Sequence, residues 1–278
     1  MAANRRSSYP HSLVVGLCVL GCVMPEKQEQ YISLAPQISL KDIQVSYGAV
    51  VALQSVTGTF PSGSLTAIIG PNGSGKSTLV KVLSSFVRPQ KGSFSIKCTS
   101  ETPSRKKSHI AYLPQSSQVD RTFPITVEEL VSTGLWVQTK GFDAITPGSR
   151  QRIADALHTV GMKGSENRSL DALSGGQFQR ILFARLILQD AALILLDEPF
   201  TGIDEKTVKD LMALVLEWHK QGRTIIVVMH DLAMVRKHFP YTLLLSRKVV
   251  SWGETDTVLT EKDKAHIPVC FHEADSYV

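Results

Sequence analysis

Cysteine is scarce in this chain: four residues among 278 cannot build a disulfide framework, and a reducing compartment is the simpler setting. Long apolar runs are scarcer still. Beyond the N-terminal run from Leu13 to Met24 no stretch approaches a membrane span, and those twelve residues are too few to cross a bilayer comfortably. Any transmembrane pore must therefore belong to another polypeptide. No internal repeat with a period of roughly 20 to 50 residues is present, and no heptad run is long enough for an extended coiled coil. Charge of one sign is not concentrated either. The net charge of +5 is spread over scattered lysines and arginines, and the one tight cluster, Arg105-Lys106-Lys107, reads as a solvated loop, so a nucleic-acid partner is not expected.

What is present is an ordinary globular composition, 43% hydrophobic and 20% charged, in a chain long enough for one large α/β domain with a subdomain. Arg5 and Arg6 ahead of the apolar run have the layout of a signal sequence, and Val19-Leu20-Gly21-Cys22 loosely resembles a lipoprotein cleavage site. Export conflicts with the nucleotide-binding motifs described below. Residues 1–36 are therefore expected to form an extension without a catalytic role. Two readings stay open: a segment upstream of the native start, with Met24 as an alternative initiator, or a segment that touches a membrane.

From Ile38 to Phe60, short β-like runs alternate with turns, which predicts an antiparallel β layer. Leu65 to Ile69, apolar apart from Thr66, suits the buried centre of a parallel sheet. Further strands are predicted at Ser93–Lys97, His109–Leu113, Ala192–Leu196, Thr224–Met229 and Thr242–Leu245. Between them the pattern turns helical, with Val127, Leu130 and Val131 on one face and Ile153, Ala156, Leu157 and Val160 on another. The expected architecture is an α/β core over residues 37–252, with a mixed sheet and an antiparallel layer. A helical subdomain at about 121–189 interrupts it, and 253–278 form a tail.

Gly70-Pro71-Asn72-Gly73-Ser74-Gly75-Lys76-Ser77-Thr78 matches G-x-x-x-x-G-K-[ST], between a predicted buried strand and a predicted helix. Glycines let successive N–H groups converge on one concavity at a helix N-terminus, which holds phosphates. Lys76 is expected to reach the β- and γ-phosphates and Ser77 to ligate Mg²⁺. Asp197-Glu198-Pro199 ends the apolar strand Ala192–Leu196, at the sheet edge where ligands of open α/β sheets bind. Asp197 suits support of Mg²⁺, and Glu198 suits orienting or deprotonating a water for attack on the γ-phosphate. Leu173-Ser174-Gly175-Gly176-Gln177 adds a serine hydroxyl and glycine N–H groups at the opening of a helix, a second phosphate site.

This P-loop NTPase pattern, with LSGGQ between its two acidic and glycine-rich motifs, resembles the nucleotide-binding subunits of ABC transporters over roughly Ile38 to Trp252. The resemblance implies that Ser174, Gly175, Gly176 and Gln177 cap the γ-phosphate held by a second subunit, so two ATPs lie between two chains. It further implies that Tyr47 stacks on adenine, that Gln115 touches Mg²⁺ and the attacking water, and that His230 contacts the γ-phosphate. Asp204, in Thr201-Gly202-Ile203-Asp204, would serve the contact between subunits, and it also suits a helix N-cap. The implied setting is the cytoplasmic face of the cell membrane, with permease subunits and an extracytoplasmic substrate-binding protein as partners.

Gln118 to Val127, the run Asp197 to Asp204 and Phe178 are similar to the ATPases of bacterial zinc and manganese importers, which implies metal-ion import. An ABC-type ATPase without a membrane partner, serving chromosomes or ribosomes, is the alternative. It is disfavoured by the missing coiled coil and the single ATPase unit. His266, Cys270, His272 and Glu273 gather near the C-terminus, but Pro268 spoils a regular helix there, and a plain polar tail is the preferred reading over a zinc site.

Overall fold

The structure, a computed structural model, describes residues 35–98, 110–115, 120–136 and 146–260. The N-terminal extension, the Arg105-Lys106-Lys107 cluster, Gln118, Val119 and the His266 to Glu273 group lie outside them.

Two sheets form the framework. A three-stranded antiparallel layer runs in the order β2-β1-β4, with β1 at Pro36–Tyr47, β2 at Val50–Phe60 and β4 at Lys91–Cys98. The second sheet is six-stranded and mixed, in the order β5-β6-β7-β3-β8-β9. Its parallel members are β3 (Leu65–Ile69), β5 (Ile110–Leu113), β6 (Leu193–Asp197), β7 (Thr224–Val228) and β8 (Tyr241–Ser246). Strand β9 (Lys248–Glu254) pairs antiparallel with β8 at the edge. The mixed sheet with an antiparallel layer is thus the one the sequence predicted, with β9 added.

Every residue of β3, β6 and β7 is buried, as expected where both faces of a parallel sheet are covered. Their side chains divide with period two between two cores. Leu65, Ala67, Ile69, Ile225 and Val227 face one core, and Ile68, Ile226 and Val228 face the other. The second core is closed by the antiparallel layer and by α1 (Lys76–Leu83), which buries Leu79, Val80, Val82 and Leu83.

Helices cover the first core. α2 (Val127–Ser132) opens on a reciprocal cap between Thr126 and Glu129, and α3 (Pro147–Thr159) buries Ile153, Ala156 and Leu157. Both pack on α4 (Gly175–Gln189), whose Phe183 stacks on Trp218 of α5 (Glu205–Lys220) at 5.8 Å between ring centroids. Helix α6 (Leu232–His238) follows β7, and α7 (Thr255–Val258) follows β9. Val258 and Leu259 are buried in the first core, so the packed unit runs past Trp252. No described helix is long and apolar enough to cross a membrane.

Candidate nucleotide-binding and hydrolysis site

Strand β3 ends at Ile69, the chain loops through Gly70–Gly75, and α1 begins at Lys76. Gly75 is the N-cap residue at φ 95° and offers no side-chain cap, so the first N–H groups of α1 stay available to an anion. Lys76 lies back over the loop, its Nζ donating to the carbonyl oxygens of Gly70 at 2.9 Å and Pro71 at 3.0 Å. Burial holds its ammonium below the usual lysine range, while the carboxylates of Glu198 and Asp197 pull it back up. Such a lysine is only partly satisfied by two neutral carbonyls, and phosphate oxygens would complete it.

The end of β6 brings two acids to the same edge. Ser77 donates to Asp197 Oδ1 at 3.0 Å, whereas Asp197 Oδ2 is buried without a hydrogen-bond partner among the described residues. Burial pushes the Asp197 carboxyl above the usual range, and the Ser77 hydrogen bond opposes it. Glu198 sits at φ 50°, a left-handed conformation that costs a non-glycine residue about 1–3 kcal/mol and that clusters at functional sites. That backbone turn aims its carboxylate back across the strand ends. Gln115, just past β5, donates from Nε2 to Glu198 Oε2 at 2.9 Å, and His230 Nε2, just past β7, lies 2.6 Å from Oε1. Three strand ends therefore meet at one carboxylate: β6 supplies Glu198, and β5 and β7 supply one partner each.

Tyr47, the loop from Gly70 to Thr78, Gln115, Glu198 and His230 line one cleft of about 780 Å³. Residues 53–201 match the ABC transporter family. The chain belongs to that family. Among curated relatives, it is 37% identical over 227 residues to the manganese transport system ATP-binding protein MntA of Synechocystis, covering 81% of this chain and 87% of that one. It is 38% identical over 225 residues to MntB of Listeria monocytogenes, also a manganese transport system ATP-binding protein, covering 81% and 93%. A bacterial ABC transporter cassette solved as a dimer superimposes with a TM-score of 0.67 at 25% identity, over 78% of this chain and 98% of that one. This ABC subunit binds and hydrolyses ATP to energise a transporter.

Not every predicted residue of the ABC subunit gathers at the cleft. Ser174, Gly175, Gly176 and Gln177 open α4 with a reciprocal cap, Gln177 N–H to Ser174 Oγ at 3.2 Å and Ser174 N–H to Gln177 Oε1 at 3.1 Å. Asp204 caps α5, its Oδ1 accepting from Thr207 N–H at 2.9 Å. Neither group lines the cleft that holds Lys76; they lie against each other instead, a Cβ on Gly176 falling 3.1 Å from Asp204 Oδ2. Sequence reasoning missed other lining residues. Val50, Val51 and Ala52 flank Tyr47 in the cleft, Val50 being 62% exposed, and Thr201 sits beside Glu198. The signal for the valines was weak, because an apolar β-strand residue is ordinarily assigned to the core.

Proposed function

We propose that two copies of this chain close around two Mg-ATP molecules and so drive a membrane permease that imports a divalent transition metal, manganese before zinc. The observation that carries the reading is the Glu198 carboxylate, held between Gln115 and His230 at the mouth of the phosphate loop. The names of the relatives support the cargo. Because Ser174 to Gln177 stand away from the cleft of their own chain, they are free to serve the cleft of another.

Tyr47 and the apolar Val50 and Val51 offer the base a platform, while Gly70, Pro71, Asn72, Gly73, Ser74, Gly75, Lys76, Ser77 and Thr78 cradle the phosphates through N–H groups and the Lys76 ammonium. The donor set suits Mg²⁺: a buried carboxylate oxygen without a partner and a serine hydroxyl beside it are the hard oxygen ligands this ion takes, few in number because phosphates and waters supply the rest. Ser77 and Asp197 would hold it, with Gln115 nearby, and it would neutralise charge on the β- and γ-phosphate oxygens. Glu198 takes a proton from the attacking water as its oxygen bonds to the γ-phosphorus and the bond to the β–γ bridging oxygen breaks, leaving ADP and phosphate. His230 senses the terminal phosphate and Gln115 orients the water.

The permease surface lies between α1 and α4, in a groove of about 410 Å³ lined by Lys81, Phe86, Tyr112, Arg185 and Gln189. Tyr112 Oη and Gln189 Oε1 are buried there without hydrogen-bond partners among the described residues, and Phe86 is 76% exposed. Two cations beside an open aromatic favour an acidic, amphipathic permease segment. The chain would then work at the cytoplasmic face of the membrane, with an extracytoplasmic metal-binding protein feeding the permease. Manganese uptake by cells tests this: replacing Lys76 by Ala should abolish radiolabelled manganese accumulation, and a pull-down of the parent should recover a multi-spanning protein. Undiminished uptake, or recovery of ribosomes or nucleic acid instead, refutes the reading.

A further inference from the structure

The two groups that stand away from the cleft are joined by side chains that no part of the hydrolysis chemistry uses. Arg180, one turn into α4 from Gln177, is buried to 17% side-chain exposure and makes three contacts. Its Nη1 donates to the carbonyl of Val160 at 3.0 Å, and its Nη2 reaches Thr207 Oγ1 at 3.1 Å and Asp210 Oδ2 at 2.8 Å. Thr207, itself buried, accepts from Arg180 and donates from the same hydroxyl to Asp204 Oδ2 at 2.8 Å. That oxygen is the atom a Cβ on Gly176 would meet at 3.1 Å, and Thr207 Oγ1 would stand 3.4 Å from the same Cβ. A chain of charge-assisted contacts thus runs from the end of α3 through α4 to the first turn of α5, and it closes beneath Ser174-Gly175-Gly176.

We propose that Arg180 and Thr207 are positioning residues that fix the opening of α4 and the Asp204 turn as one rigid edge, presented whole to the ATP bound by a second copy of the chain. The inference rests on the paired-subunit reading above. The physical case is that a helix N-terminus holds phosphate only when its N–H groups point at it, and the reach of a hydrogen bond is short. The link adds directional contacts to the apolar packing between α4 and α5, which by itself sets spacing but not rotation. Thr207 is suited to the role because one hydroxyl serves as donor and acceptor at once. Asp210, at the surface, would act mainly to orient the guanidinium, since an exposed ion pair contributes little by itself.

The test uses the full chain carrying Glu198→Gln, which is expected to form ATP-trapped dimers, and adds Thr207→Val, Thr207→Ser or Arg180→Lys. Dimer formation is followed by light scattering against ATP concentration, and binding to the monomer's own cleft by titration with fluorescent N-methylanthraniloyl ATP. Thr207→Val should weaken ATP-driven dimerisation about tenfold or more, the size expected for lost hydrogen bonds to charged groups, with monomer nucleotide affinity unchanged. Thr207→Ser should restore it, and Arg180→Lys, which cannot hold three acceptors in one plane, should not. Equal dimerisation with and without Thr207→Val overturns the inference and leaves the paired reading intact. A parallel loss of monomer nucleotide affinity also overturns it, by making the effect one of folding. Absence of dimers from Glu198→Gln alone defeats the paired reading and the inference with it.

Discussion

Replacing Gly75 by Ala, and separately Gly73 by Ala, separates two costs that the phosphate loop combines. Both residues have positive φ, 95° and 75°, so a Cβ at either position pays for a left-handed backbone, about 1–2 kcal/mol. Their surroundings differ. At Gly73 nothing lies within 4 Å of the added carbon, whereas at Gly75 it falls 2.4 Å from the Ala52 carbonyl oxygen and 2.6 Å from Leu53 Cδ2. A backbone oxygen of β2 cannot swing aside as a side chain can, so α1 or the strand must move, an overpacking cost of about 1–3 kcal/mol more. At about 2–4 °C of melting temperature per kcal/mol for a domain of this size, Gly75→Ala should melt roughly 2–12 °C below Gly73→Ala. Thermal unfolding without nucleotide reads this difference directly. Titration with fluorescent ATP should then show a much greater loss for Gly75→Ala, because moving α1 re-aims the N–H groups at its start. If Gly73→Ala melts at or below Gly75→Ala, the close approach of β2 to the loop does not constrain it and the argument fails.

Glu198→Gln should lower phosphate release by about 10²-fold or more with ATP affinity retained, and turnover at the parent rate removes Glu198 as the base. Tyr47→Ala should weaken nucleotide binding about tenfold, within the range for a lost base-stacking contact, while Tyr47→Phe should not; equal behaviour of the two variants, read by equilibrium titration, rules out stacking. Burial depresses Lys76, so between its folded pKa and the ordinary 10.5 the unfolded chain binds more protons than the folded one, and the stability of the nucleotide-free protein rises with pH through that window. The melting temperature of the parent relative to Lys76→Met should therefore climb as pH is raised toward that value, and a gap independent of pH refutes the buried-charge account.

The phosphate loop was legible because its chemistry is written in consecutive residues: strand, glycines, lysine and helix follow one another, and the anion site is made from that one stretch of backbone. The order of the strands was not legible. Ser93 to Lys97 reads as a strand, yet nothing local says that β4 pairs with β1 in the small sheet while β5 lies at the edge of the large one. Strand β9 escaped because its residues are only half-buried and a register shift at Leu244/Leu245 breaks any clean alternation. At the site, Glu198, Gln115 and His230 were each identifiable by type and strand end, but their convergence spans 83 and 32 residues of sequence. No sequence period encodes such a meeting. The apolar platform beside Tyr47 was hidden for the opposite reason, since exposed and buried valines look alike in a string of letters.

The hydrogen bonds to Glu198 carry a consequence for idle turnover. With Glu198 as the base, Gln115 engages one of its oxygens and His230 the other, so these two contacts fix where its remaining lone pairs point. Gln115 lies where the backbone leaves β5 for the helices, so whatever shifts those helices also shifts the engagement of the base. On the proposed reading the aim of the base would then follow those helices, and a lone subunit should turn over ATP more slowly than the assembled transporter.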